Sequence, residues 1–369
     1  MFYIYTSIIF LYILLRGVIP LDIDIYIKCV LGFFFLLGTQ LHFISKKTTG
    51  LMVGEYPKWI LYPWEYLFSS SVMLFLLTLT CDLLRVISYP FDSIHSLLNS
   101  SDSYLYILYA SLTLGFYSLY QGMKVPKIKE KAIYIEKWPE ALNGFTLVQL
   151  TDLHVSSLLS KKWLQGVVEK TNKISPDLVV ITGDFIDGFV EVHASNITPL
   201  SDLKAKHGVF GISGNHDYYY GFKKWLPEFQ KNNVRMLINE NELIADSFYI
   251  AGLPDLVAGR HNQENPDIEK ALANIDNNKP LILLDHRPSK ARFNSKYGVD
   301  LQLSGHTHGG MLPFLASVVK RKNDGFYSGH YNVGNMQLYL SNGTGIWNGF
   351  PLRIGYTSEI TLLKIYKNK

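Results

Sequence analysis

Four apolar stretches lie within the first 121 residues, and they restrict the folds open to this chain more than any other feature. They cover residues 2–20, 25–45, 67–87 and 103–121. Each approaches the run of about 20 apolar residues that crosses a hydrocarbon core about 30 Å thick. Tyr3, Trp59, Trp64, Tyr89, Tyr104 and Tyr120 crowd their ends, where amphipathic rings sit at a bilayer interface. Several such runs in one block, without amphipathic partners, argue against helices buried in a soluble core. The expectation is a transmembrane region over 1–123, with about four helices. Arg16 interrupts the first stretch, which has neither a basic n-region nor a small-residue cleavage site, so it does not read as a cleaved signal peptide. Asp82 and Arg85, near the end of the third, are either a functional pair or side chains reaching for the headgroups.

Composition supports this division. Apolar residues make up 48% and charged residues 18% of the 369, and the apolar excess sits in the first third. The net charge of +4 is weak and no basic arm is present, so no nucleic-acid partner is expected. Cys29 and Cys81 both lie in apolar runs, which leaves the polar two thirds without a disulfide or a thiolate metal site. Lys46, Lys47 and Lys58 occupy the loop between the second and third stretches. Lys124, Lys127, Lys129, Lys131 and Lys137 follow the fourth, while the other loops hold only Arg16, Lys28 and Arg85. The positive-inside bias then places the polar domain on the cytoplasmic side of an integral membrane protein. Residues 124–142 read as a basic juxtamembrane linker and lead-in strand, each Lys worth about 1 kcal/mol against anionic headgroups.

From residue 143 the pattern changes to short apolar runs, helical periodicity and Gly/Asn/Asp clusters, as in a layered α+β domain. Five runs end alike. Residues 145–150 lead to Asp152 and His154, 178–182 to Asp184 and Asp187, and 209–213 to Asn215, His216 and Asp217. Residues 281–284 lead to His286, and 301–304 to His306 and His308. Any one of these is bland, because a strand-end Asp or His usually caps a turn. Five together suggest convergence at the carboxyl edge of a sheet, where ligands gather. Residues i and i+2 of an extended segment point the same way, so Asp152 and His154 can grip one ion. Between the runs, 163–174 and 222–230 read as helices, the first with Ser160 as N-cap.

With these residues in this order, 143–369 resembles the calcineurin-like metallophosphoesterases. The resemblance rests on DLH at 152–154, GDFID at 183–187, GNHD at 214–217, the strand-end His286 and GHTH at 305–308. The GHTHGG form and the stretch SNGTGIWNGFPLRIGYTSEITLL are similar to the subgroup that carries N-terminal transmembrane helices. Met311 departs from that subgroup, which commonly has Gln there. The resemblance implies an α+β fold in α/β/β/α layers, a double β-sandwich flanked by α-helices, with a catalytic domain over 143–369. It implies two divalent metal ions, the first held by Asp152, His154, Asp184 and His308. The second would be held by Asp184, Asn215, His286 and His306, with Asp184 bridging, and His216 would be the catalytic histidine outside the ligand set.

Asp217 is expected to orient His216, and Asp187 either orients a ligand or fixes its loop. Arg353 either binds a phosphate oxygen or ties down the last loop. Tyr218 either lines a substrate cleft or packs its own loop. The nitrogen and oxygen ligand set suits Mn, Fe or Zn. The expected activity is hydrolysis of a phosphate monoester, diester or pyrophosphate on a membrane-associated, lipid-linked substrate, since a tethered domain meets headgroups at high effective concentration. A narrower alternative is a UDP-2,3-diacylglucosamine-type lipid pyrophosphatase. A non-catalytic membrane receptor or scaffold would instead predict missing ligands. No protein partner can be inferred.

Overall fold

The computed structural model describes residues 2–51 and 53–368. The chain divides into two compact units, one of residues 1–121 with 348–352, the other of 122–347 with 353–369.

The first unit is helical. α1 (Phe2–Ile13) continues as a π-turn over Leu14–Val18, and is followed by α2 (Ile25–Thr49), α3 (Lys58–Ile87), α4 (Asp92–Leu98) and α5 (Ser101–Met123). Asp24 caps α2 by accepting the Tyr26 amide at 2.8 Å, and Gly50 ends it in the left-handed region at φ 77°, the usual exchange of a polar N-cap for a C-terminal glycine. Among the described residues, α2 and α3 are the helices long and apolar enough to cross a membrane. This narrows the four-helix expectation. The first stretch is broken by the π-turn around Arg16, and five Tyr and four Ser lower the hydropathy of α5.

This unit has a small apolar core of Ile13, Val18, Leu21, Phe35, Leu74 and Leu108, but it also exposes apolar residues and buries polar ones. Tyr26, Val30, Phe33, Leu83, Val86 and Ile87 face outward, whereas His42, Glu65, Ser69, Ser70, Ser71 and Thr78 are buried. Small residues set the spacing. A Cβ on Gly115 would lie 2.8 Å from the Ser70 Cα, and one on Gly38 would collide with Ser71 Oγ and the Leu67 carbonyl. Asp82 and Arg85 belong to an internal network. Asp82 accepts from Arg16 Nε at 2.9 Å, from Arg85 Nη1 at 2.7 Å and from the Tyr12 hydroxyl at 2.7 Å.

The second unit is built on twelve strands: β1 (Lys127–Ile135), β2 (Phe145–Leu150), β3 (Leu178–Thr182), β4 (Val209–Ile212), β5 (Arg235–Met236), β6 (Glu240–Ile244), β7 (Phe248–Gly252), β8 (Leu281–Leu284), β9 (Leu301–Ser304), β10 (Gly329–Val333), β11 (Met336–Leu340) and β12 (Glu359–Lys367). They form two mixed six-stranded sheets, ordered β1-β12-β2-β3-β4-β5 and β10-β11-β9-β8-β7-β6. β2 to β5 are parallel, as are β7, β8, β9 and β11. Alternation explains why the central strands are apolar throughout. Leu147, Leu178 and Val180 point into the core between the sheets, against Ile250, Ile282 and Leu303. Their neighbours Val148, Val179 and Ile181 pack beneath α6 (Lys161–Asn172) and the helix Phe222–Lys231. Leu283 and Leu338 face a third core on the outer side of the second sheet. About half of the segment read as a basic linker and lead-in strand is β1, a strand paired in parallel with β12. Its exposed lysines blunt a sheet edge that would otherwise invite pairing, and Lys129 meets Glu359 at 2.7 Å.

Candidate metal centre

The parallel strands β2, β3, β4, β8 and β9 end on one edge, and the loops after them converge. Just past β2, Asp152 and His154 are fully buried, with Asp184 after β3, Asn215 after β4, His286 after β8 and His308 after β9 also buried. Several of these residues hold left-handed backbone: Asp152 (φ 52°), His154 (φ 45°), Asp184 (φ 54°), His306 (φ 71°) and His308 (φ 49°). Such conformations are costly for non-glycine residues and persist where the surroundings over-determine them. Gly214 has no side chain for a steric reason, since a Cβ there would collide with the Asp184 carboxylate.

Ligand atoms gather into overlapping groups: Asp152 with His154 and His308, His154 with Asp184 and His216, and Asp184 with His286 and His306. Within each group the atoms lie within 4.8 Å of one another. Asp184 Oδ2 is 3.7 Å from His154 Nε2 and 3.3 Å from His286 Nε2, midway between the two ends of the cluster. His154 Nε2 and His308 Nε2 face each other at 3.2 Å. Asn215 Oδ1 and His286 Nε2 are buried without a hydrogen-bond partner, although buried polar atoms are otherwise almost always satisfied. His286 Nδ1 lies 2.8 Å from the Thr182 carbonyl, which commits Nδ1–H to that acceptor and points Nε2 at the cluster. This donor set, with its orphaned oxygen and nitrogen, fits two divalent cations.

Electrostatics divide the ligands. Burial alone would raise the pKa of Asp184, but His286, His216 and His154 around it hold it well below the carboxylate range. Burial, with His286 and Arg287 nearby, keeps His306 neutral, and burial with His154 and Arg353 does the same for His308. His286 goes the other way: burial opposes protonation, but Asp184 and Asp152 push its pKa up to about 10, so a cation bound there would displace its proton.

His216 stands beside the cluster. Its amide donates to Asp184 Oδ1 at 2.8 Å, and its Nδ1 lies 2.6 Å from Asp187 Oδ1. Burial opposes protonation, yet Asp187, Asp184 and Asp217 together push its pKa up to about 9. Tyr219 and Trp347 flank the ring, at centroid separations of 5.4 and 5.9 Å.

One expectation changes and two open alternatives narrow. The carboxylate against His216 is Asp187. Asp217 instead accepts the amides of Asp184, Phe185 and Gly214 at 2.8–3.0 Å, which ties the loop after β4 to the loop after β3. Arg353 is buried behind His308, its Nη2 3.1 Å from His308 Nδ1. It donates to the carbonyls of His308, Asn342 and Gly345 at 2.7–3.1 Å, so it ties down the last loop. Tyr218 is a core residue, its hydroxyl 2.8 Å from Ser213 Oγ. Met311, at φ 60°, helps line a cleft that reaches His306 and His308. Arg287 and Lys322 line the same cleft and were not singled out from sequence. For Arg287 a signal was present, since it directly follows the strand-end His286.

Residues 145–310 match the calcineurin-like phosphoesterase family model. A metallophosphoesterase of Helicobacter pylori strain J99 is 34% identical over 81% of this chain and 85% of its own length. Another, from Campylobacter jejuni, is 33% identical over 82% of this chain and 80% of its own. A transmembrane protein with metallophosphoesterase domain from Danio rerio is 35% identical over 69% of this chain and 60% of its own. The chain belongs to the calcineurin-like metallophosphoesterases, metal-dependent hydrolases of phosphoric esters.

Proposed function

We propose that this chain is a membrane-anchored, dimetal phosphoesterase whose hydrolase unit faces the cytoplasm and acts on a membrane-associated phosphoester or pyrophosphate. The observation that carries the reading is the pair of orphaned ligand atoms, Asn215 Oδ1 and His286 Nε2, buried within a complete histidine–carboxylate cluster. A scaffold that had retained only the fold would have no reason to keep every ligand. Anchoring through α2 and α3 is supported by their outward-facing apolar residues, and the cytoplasmic assignment requires α5, with Tyr106, Tyr109 and Phe116 exposed, to cross as well, because only then do both Lys-rich segments share a face.

In this reading Asp152, His154, Asp184 and His308 hold one ion, and Asp184, Asn215, His286 and His306 the other. Two such ions supply Lewis acidity, a water of lowered pKa and compensation of phosphoryl charge. His216 lies outside the ligand set, is kept protonated by Asp187, and donates a proton to the departing oxygen. A lipid-linked substrate follows from the tether, and a lipid pyrophosphatase of the UDP-2,3-diacylglucosamine type is the narrower form of the same reading.

The test is hydrolysis of bis(p-nitrophenyl) phosphate by the purified chain with Mn²⁺. Asp184→Ala should abolish turnover, and His216→Ala should lower kcat about 10²- to 10⁴-fold while retaining bound metal. An inactive wild type, or variants as active as wild type, would overturn the hydrolase reading.

A further inference from the structure

The cleft beside the metal ligands encloses about 510 Å³, room for more than one phosphoryl group. Its lining is divided by chemistry. His306 and His308 form the part nearest the ligand cluster. Leu256, Met311, Val319 and Trp347 make an apolar wall, and Arg287 and Lys322 bring two cations.

Arg287 is held in a fixed pose. Its Nε donates to Asp255 Oδ2 at 2.6 Å and its Nη2 to Asp255 Oδ1 at 3.1 Å. Asp255 is buried and also accepts the Val257 amide at 2.9 Å, so the carboxylate itself is anchored. One edge of the guanidinium is therefore committed. Nη1 has no acceptor among the described residues, and the side chain stays about one-fifth exposed. Guanidinium donors in a rigid fork suit phosphoryl oxygens. Lys322 ends the helix Pro313–Lys322. It forms no ion pair among the described residues, and it brings an uncompensated charge to the same cavity.

Neither cation belongs to the ligand cluster, and a single phosphoryl group already has that cluster to bind it. We infer that Arg287 and Lys322 form a second anion subsite, which takes a further phosphoryl group of the substrate while the apolar wall takes its body. This rests on the phosphoesterase reading and narrows it to substrates with at least two phosphoryl groups, the pyrophosphate class. Asp255 is then a positioning residue, acting through Arg287.

Binding tests this independently of turnover. The full chain, purified in detergent and loaded with Mn²⁺, is titrated calorimetrically with methylenediphosphonate and with methylphosphonate. Wild type should prefer the bisphosphonate, and Arg287→Gln and Lys322→Gln should each cut that preference about tenfold. Lys322 is exposed on a helix, so its variant reports even where the Arg287 variant fails to fold. A wild type without preference, or a preference unchanged in both variants, overturns the subsite. Loss of hydrolysis with the binding preference intact would instead count against the hydrolase reading alone.

Discussion

Asp187 serves two histidines with one oxygen. Its Oδ1 lies 3.0 Å from His154 Nδ1 and 2.6 Å from His216 Nδ1. The same carboxylate thus sets the tautomer of a metal ligand and the charge of the proton donor, and His154 and His216 in turn hold its pKa below the usual range against the effect of burial. Asp187→Asn should lower Mn²⁺ affinity about 10- to 100-fold and reduce kcat on bis(p-nitrophenyl) phosphate as well. Calorimetric titration and steady-state rates read the two effects separately, and unchanged values in both would remove Asp187 from this role. The residues gathered in the centre were legible from sequence because each follows an apolar run. The partner of His216 was not. Asp217 is its neighbour in the chain, but the helical turn Asn215–Tyr219 sends that carboxylate to backbone amides, while Asp187 arrives from the preceding loop. Arg353 was ambiguous for a related reason. Nothing in PLRIGY reveals that four backbone carbonyls await its guanidinium.

At the scale of elements, the buried parallel strands were the readable part, because both faces of each are covered and the run is apolar from end to end. The edge strands β6 and β10 pair antiparallel with β7 and β11 and have half-exposed, mixed-polarity patterns, so their signal is weak. β1 was harder still, since its partner β12 lies more than 220 residues away and its lysines suggested a linker. The helical unit shows the converse. Its apolar stretches were plain, but the small-residue contacts that set helix spacing follow no period in the sequence. Close approach at glycine is how helices associate where lipid removes the hydrophobic incentive. Gly115→Leu should therefore force α5 and α3 apart and cost about 1–3 kcal/mol, read as a lowered Tm in detergent. A matched change on an outward face, Val86→Leu, should leave Tm unaltered. If the two variants melt alike, Gly115 is not a packing point.

The whole molecule joins two units that differ in how they treat their surface, although each has an apolar core. The hydrolase unit buries Leu, Ile and Val between sheets and helices, while the helical unit buries His42 and Glu65, 3.3 Å apart, and leaves tyrosines, leucines and isoleucines outside. In water the second arrangement would expose far more contiguous apolar surface than soluble proteins tolerate. In a bilayer it is the expected one, because lipid solvates the apolar exterior and ionisable groups turn inward to pair. Length alone would not decide this, since a long apolar helix can also be the core of a soluble protein. The outward orientation of its side chains is what favours the bilayer. The chain should remain in the membrane pellet through alkaline carbonate extraction and be released only by detergent. Protease added to inverted inner-membrane vesicles should digest residues 122–369, and right-side-out vesicles should protect them. Release by carbonate would make the helical unit peripheral, and protection in inverted vesicles would place the hydrolase on the opposite face from the one the lysine bias assigns.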